Sequence, residues 1–90
     1  MKETYEIIIT GRVQGVGFRF FALRAARAHG ICGYARNQFN GSVKVIAQGE
    51  SAALNLFIEA LRQGPVRSNV EQLYKTHLSA AREYSDFHVG

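Results

Sequence analysis

Tyr5-Glu6-Ile7-Ile8-Ile9-Thr10 is the first patterned stretch of the chain, a short β-branched run with apolar residues on both faces. A strand with two apolar faces belongs near the centre of a sheet, and Gly11 reads as its end. From Phe18 to His29 the period changes. Helix formers dominate (Ala22, Leu23, Ala25, Ala26, Ala28), and Phe18, Phe21 or Ala22, Ala25 and His29 recur at helical spacing. Gly30 stands where a helix C-terminal glycine belongs. Ile31 to Asn37 reads as a second strand, Asn40-Gly41 as a tight turn, and Ser42 to Ala47 as the returning third strand, with Val43, Val45 and Ala47 on one face. Ser51 is the expected N-cap of a second helix. Leu54, Phe57, Ile58 and Leu61 then fall at i, i+3, i+4 and i+7, the clearest amphipathic stripe in the chain. Gly64-Pro65 stops that helix. Val70 to Leu78 mixes polar residues into a weaker strand, placed at an edge, and Phe87-His88-Val89 reads as a short extra strand.

The order strand, helix, strand, strand, helix, strand predicts an α+β protein, a ferredoxin-like βαββαβ sandwich with two helices packed on one face of an antiparallel sheet. Ninety residues leave room for one core only, so residues 1–90 are expected to form a single domain. This fold hosts many functions and names none.

Composition narrows the function modestly. A chain 47% hydrophobic and 20% charged is not disordered. No run approaches the ~18 apolar residues of a membrane span, and no secretory leader is visible, so the expectation is a cytoplasmic protein with no membrane partner. The single cysteine, Cys32, excludes an internal disulfide and a cysteine-rich metal site, and reads as a small apolar filler. The net charge of +4 favours anionic ligands without choosing among them.

The junction between first strand and first helix is more specific. Gly11, Gly15 and Gly17 permit backbone angles closed to other residues and remove side chains, so N–H groups can converge on a ligand. At a helix start such groups form an anion nest, reinforced by the helix dipole. The helix opens Gly17-Phe18-Arg19-Phe20-Phe21, with no side chain able to cap it. Arg12 to His29 holds four arginines (Arg12, Arg19, Arg24, Arg27) and no Asp or Glu. A cation in the first turn opposes the dipole, at roughly 0.3–1 kcal/mol. The arrangement is explained if an external anion completes the cap and Arg19 clamps it with its planar fork. The alternative is a tight connection with a solvated Arg19. Neither the nucleotide P-loop pattern nor the dinucleotide pattern is present, since position 20 is Phe where the latter needs its third glycine.

The full string Gly11-Arg12-Val13-Gln14-Gly15-Val16-Gly17-Phe18-Arg19 resembles the signature of the acylphosphatase family. Gly33-Tyr34-Ala35-Arg36-Asn37, followed by Asn40-Gly41-Ser42-Val43, resembles that family's second signature. Ala47-Gln48-Gly49, Gly64-Pro65 and Phe87-His88-Val89 extend the similarity from Tyr5 to Val89. The sequence departs from the family pattern at Asn40, where Asp is frequent, at Tyr34, where Trp is common, and at His29, where an aliphatic residue is usual.

The resemblance implies hydrolysis of the mixed anhydride between a carboxylic acid and phosphoric acid. It implies phosphate binding by the backbone of Gln14, Gly15, Val16, Gly17 and Phe18 and by the side chain of Arg19, with water positioned by Asn37. It implies no metal and no organic cofactor, and a small-molecule acyl phosphate as the partner. No nucleic-acid partner is expected, and a chain this small is expected to be a monomer. Arg12 and Arg36 read as structural or solvated, and His77 and His88 receive no role. Three alternatives stay open: a module that binds a phosphate-bearing ligand without turnover, a basic sheet face holding RNA through Tyr34 and Phe39, and a domain handling carbamoyl phosphate.

Overall fold

A computed structural model describes residues 1–90, and its elements run β1 (Lys2–Arg12), α1 (Phe18–His29), β2 (Cys32–Asn37), β3 (Val43–Glu50), α2 (Ser51–Gln63), β4 (Asn69–His77) and β5 (Phe87–Val89). The five strands form one sheet in the order β4-β1-β3-β2-β5. The expected βαββαβ arrangement is present, with β1 inside the sheet between β4 and β3, and β4 at an edge. Its four long strands pair antiparallel. The short extra strand expected at Phe87-His88-Val89 is present as β5, which runs parallel to β2 through Gly33↔Phe87 and Ala35↔Val89 and makes the sheet mixed.

Alternation decides which face is covered. Ile7 and Ile9 of β1, Ala35 of β2, and Val43, Val45 and Ala47 of β3 point to one face and are fully buried. Register places Ile7 beside Val45 and Ile9 beside Val43, so apolar side chains meet across the strands. Against them pack Phe18, Ala22 and Ala26 of α1 and Leu54, Phe57, Ile58 and Leu61 of α2. The α2 stripe is as read from its spacing. In α1 the buried positions are Phe18, Ala22 and Ala26, and the expected Ala25 and His29 are only half-buried at its margins. The opposite sheet face carries Glu6, Lys44, Tyr34 and Arg36. There Lys44 Nζ lies 3.5 Å from Glu6 and Arg36 stacks 4.7 Å over the Tyr34 ring.

Two boundaries differ from the pattern reading. Gly11 does not end β1. It sits in a β-bulge opposite β4, with φ 115°, where a Cβ would run into the Asn69 carbonyl. Ser51 is not the N-cap of α2. Glu50 holds that position in extended geometry, and the Ser51 hydroxyl and N–H both donate to the Met1 carbonyl, at 3.1 and 3.2 Å. Gly30 caps α1 as expected, with φ 67° and its N–H donating to Ala26 O. Cys32 is half-buried and unpaired. Buried Gln48 links Thr4 to the segment before β5: its amide donates to Thr4 Oγ1 and Arg82 O, and its carbonyl accepts from Tyr84 N–H. No helix is long and apolar enough to cross a membrane.

Candidate functional site

Topology brings the two suspected segments to one end of the sheet. β1 and β2 both run antiparallel to the intervening β3, so their C-terminal ends lie side by side, two strand spacings or about 10 Å apart. β3 starts at Val43, which pairs with both Ile9 and Asn37. Residues 13–17 leave β1 there and lead into α1. β5, parallel to β2, ends on the same side at Val89.

The loop is anchored from below and left bare above. Val13, Val16 and Phe18 bury their side chains in the core. Gly15 and Gly17 adopt left-handed φ of 72° and 80°, and a Cβ on either would meet only open space. Backbone angle, and not crowding, therefore requires glycine at both positions. Gly17 is the N-cap of α1 and supplies no side-chain cap, and the first turn holds no acid. The first intrahelical bond runs from Phe21 N–H to Gly17 O, at 3.0 Å. From Gln14 through Phe20, no N–H donates to any acceptor in the protein. The sequence reading of an uncapped, acid-free helix start thus describes the local geometry, with Gly11 belonging to the bulge and not to the cradle.

Gln14 ties this loop to the β2–β3 turn. Its Nε2 donates to Gln38 O at 2.7 Å and to Ser42 O at 2.9 Å. The turn has its own framework: Asn40 Oδ1 accepts from the Ser42 N–H at 3.0 Å and from the Ser42 hydroxyl at 2.6 Å, and Gly41 takes φ 93°. Asn at position 40 performs the turn chemistry that Asp would. The Ser42 hydroxyl also accepts from Gln38 Nε2 at 3.0 Å, so it is fully engaged in the turn.

Arg19 and Asn37 both line the concavity above the loop, roughly 230 Å³ in volume, with Val13, Gly15, Gly17, Phe18 and Phe20. Arg19 is held just beyond β5: its NH1 donates to Gly90 O at 2.7 Å, and the Gly90 N–H in turn bonds Ala35 O at 3.1 Å. Asn37 Oδ1 is buried and has no hydrogen-bond partner in the protein, alone among buried side-chain polar atoms. Orphaned buried acceptors are costly and uncommon, and call for a ligand or water in the working state.

Larger clefts exist. One of about 490 Å³ beside Gln38, Phe39 and Lys44 shares Asn37 with the concavity, and one of about 330 Å³ lies between Tyr34, Arg82 and Tyr84. The smaller concavity is the one lined by Gly15, Gly17 and Phe18 at the start of α1, where the N–H groups have no acceptor in the protein. The groups with shifted ionisation at the start of β1 are remote from the loop. Lys2 is raised, first through its hydrogen bond to Glu83, and Tyr5 is raised, first through desolvation. No group of three or more His, Cys, Asp or Glu side chains converges anywhere.

Of the residues named from sequence, Gly15, Gly17, Phe18, Arg19 and Asn37 line one concavity, whereas Gln14 and Val16 do not. Sequence reasoning missed the Gln14 tie, which no spacing signals, because its acceptors are carbonyls 24 and 28 residues away. Phe20, an aromatic set off the apolar stripe of α1, also lines the concavity.

The model of the family described as Acylphosphatase matches residues 5–89. An acylphosphatase of Pasteurella multocida (strain Pm70) is 42% identical over 84 residues, covering 93% of each chain. One of Dehalococcoides mccartyi (strain CBDB1) is 43% identical over 83 residues, covering 91% of each. The crystal structure of acylphosphatase from Bacillus subtilis superposes with a TM-score of 0.95 at 34% identity, covering 100% of this chain and 99% of that one.

Proposed function

This chain belongs to the acylphosphatase family and hydrolyses acyl phosphates, and from that premise we propose how its own residues divide the work. The phosphate rests on the backbone N–H groups of Gln14, Gly15, Val16, Gly17 and Phe18, at the positive end of α1. Arg19 completes the cradle with a charge-assisted fork on the phosphate oxygens. Asn37 Oδ1 accepts a hydrogen bond from water and turns the water's lone pair toward phosphorus.

Hydrolysis then needs little else. The water oxygen bonds to phosphorus as the bond from phosphorus to the acyl oxygen breaks. The departing carboxylate, whose conjugate acid titrates near ~4, leaves without a proton. One water proton passes to a phosphate oxygen, and the products are a carboxylate and dihydrogen phosphate. General acid catalysis has no task here. Positioning and stabilisation of charge on the equatorial oxygens carry phosphoryl transfer, and a ring of N–H donors with one arginine supplies both.

The observation that carries this division of labour is Asn37, which lines the same concavity as the loop and whose buried Oδ1 has no partner in the protein. A binding module would need the cradle alone. Purified protein is expected to hydrolyse benzoyl phosphate without added metal and equally well with a chelator present. Hydrolysis that disappears with chelator, or no hydrolysis at all, contradicts the reading.

A further inference from the structure

Phe20 is left unexplained by the fold. It is 64% exposed in the first turn of α1. The buried face of that helix is Phe18, Ala22 and Ala26, and Phe20 lies roughly 200° around the helix from Phe18. Phe is an ordinary helix former with no advantage over Lys, Arg or Glu at a solvated site. Core packing and helix propensity therefore give no reason for an aromatic there.

Its position relative to the concavity does. Val13 and Phe18 form the floor and are almost wholly buried. Gly15 and Gly17 present only backbone, Arg19 reaches toward Gly90, and Asn37 lines the site with its Oδ1 buried and unpartnered. Of the lining side chains, Phe20 alone presents a large exposed apolar surface. In-line displacement adds a direction: water and leaving group occupy opposite sides of phosphorus. With water held at Asn37, on β2, the acyl group departs toward the wall away from that strand. Phe20, on α1, stands on a separate wall of the same concavity.

We propose that Phe20 is the acyl-side wall of this site, so that the protein favours acyl phosphates with an aromatic or similarly flat apolar acyl group. The inference rests on the reading of the cradle, Arg19 and Asn37 given above. A ring stacked or edge-on against Phe20 gains the interaction of an aromatic pair, whereas a methyl group scarcely reaches it. Phe20 contacts the substrate equally before and during bond breaking, so its effect falls on KM more than on kcat.

The test compares benzoyl phosphate with acetyl phosphate. In Phe20→Ser, kcat/KM for benzoyl phosphate is expected to fall about fivefold, within the range of aromatic-pair energies. Acetyl phosphate should change less than about twofold, the inhibition constant for inorganic phosphate should stay at the wild-type value, and Phe20→Trp should restore the benzoyl preference. Equal losses on both substrates, or no loss on either, overturn the role of Phe20 and leave the hydrolase reading standing. A weakened phosphate inhibition would place Phe20 in the cradle and overturn it also. Wild-type protein that hydrolyses neither substrate overturns this proposal and the division of catalytic labour together.

Discussion

Asn37 illustrates how far one residue can be read from sequence. An asparagine near a strand end is ordinarily a turn former, and here that job belongs to Asn40, whose Oδ1 holds Ser42. Only the surrounding signature singled out Asn37, and the geometry adds a physical reason in its buried, unsatisfied oxygen. Asn37→Ala is expected to lower turnover by at least about 100-fold, the scale of losing one transition-state polar contact. Inhibition by inorganic phosphate should be almost unchanged. If turnover and phosphate binding are lost together in kinetic and calorimetric measurements, Asn37 is structural. Arg19→Lys should behave differently. An ammonium keeps the charge and loses the fork, so phosphate affinity and kcat/KM should both drop, by roughly 10–100-fold on the scale of charged hydrogen bonds. Wild-type kinetics in that variant would remove Arg19 from the site.

Among the elements, the loop between β1 and α1 was the most legible, because Gly15, Gly17 and the missing cap are local properties of the sequence. Its support was not. Gln14 joins the loop to the β2–β3 turn through Gln38 O and Ser42 O, and long-range contacts of side chain to carbonyl leave no periodic trace. Gln14→Ala removes both bonds, yet each carbonyl keeps a second donor, Gly41 N–H for Gln38 O and Gln38 N–H for Ser42 O. The stability loss should therefore be only about 1–2 kcal/mol by urea denaturation. Turnover should fall further, by about tenfold or more, because the tie sets the spacing between cradle and Asn37, and rates are steep in such spacing. An unchanged kcat would show that the turn holds Asn37 without help. The misplaced N-cap at Ser51 has a similar origin: its hydroxyl bonds Met1 O, a partner fifty residues away.

For the molecule as a whole, the pattern of apolar periods sufficed for the α+β sandwich because each helix has one buried stripe and β1, β2 and β3 each turn one face into the core. The parallel pairing of β5 was not readable, since three residues carry no usable alternation. That strand nevertheless matters, because the backbone just beyond it holds Arg19 through Gly90 O. The sheet thus gathers three parallel strand ends, those of β1, β2 and β5, and from them come the glycine loop, the Asn37 amide and the support of Arg19. Under the proposed roles these parts direct water at phosphorus and release the carboxylate intact. Hydrolysis of benzoyl phosphate by the purified protein in ¹⁸O-labelled water tests this most directly. Mass spectrometry should find one labelled oxygen in the inorganic phosphate and none in the benzoate. Label in the benzoate would mean that water attacked the acyl carbon, and would contradict the roles given to the loop, Arg19 and Asn37.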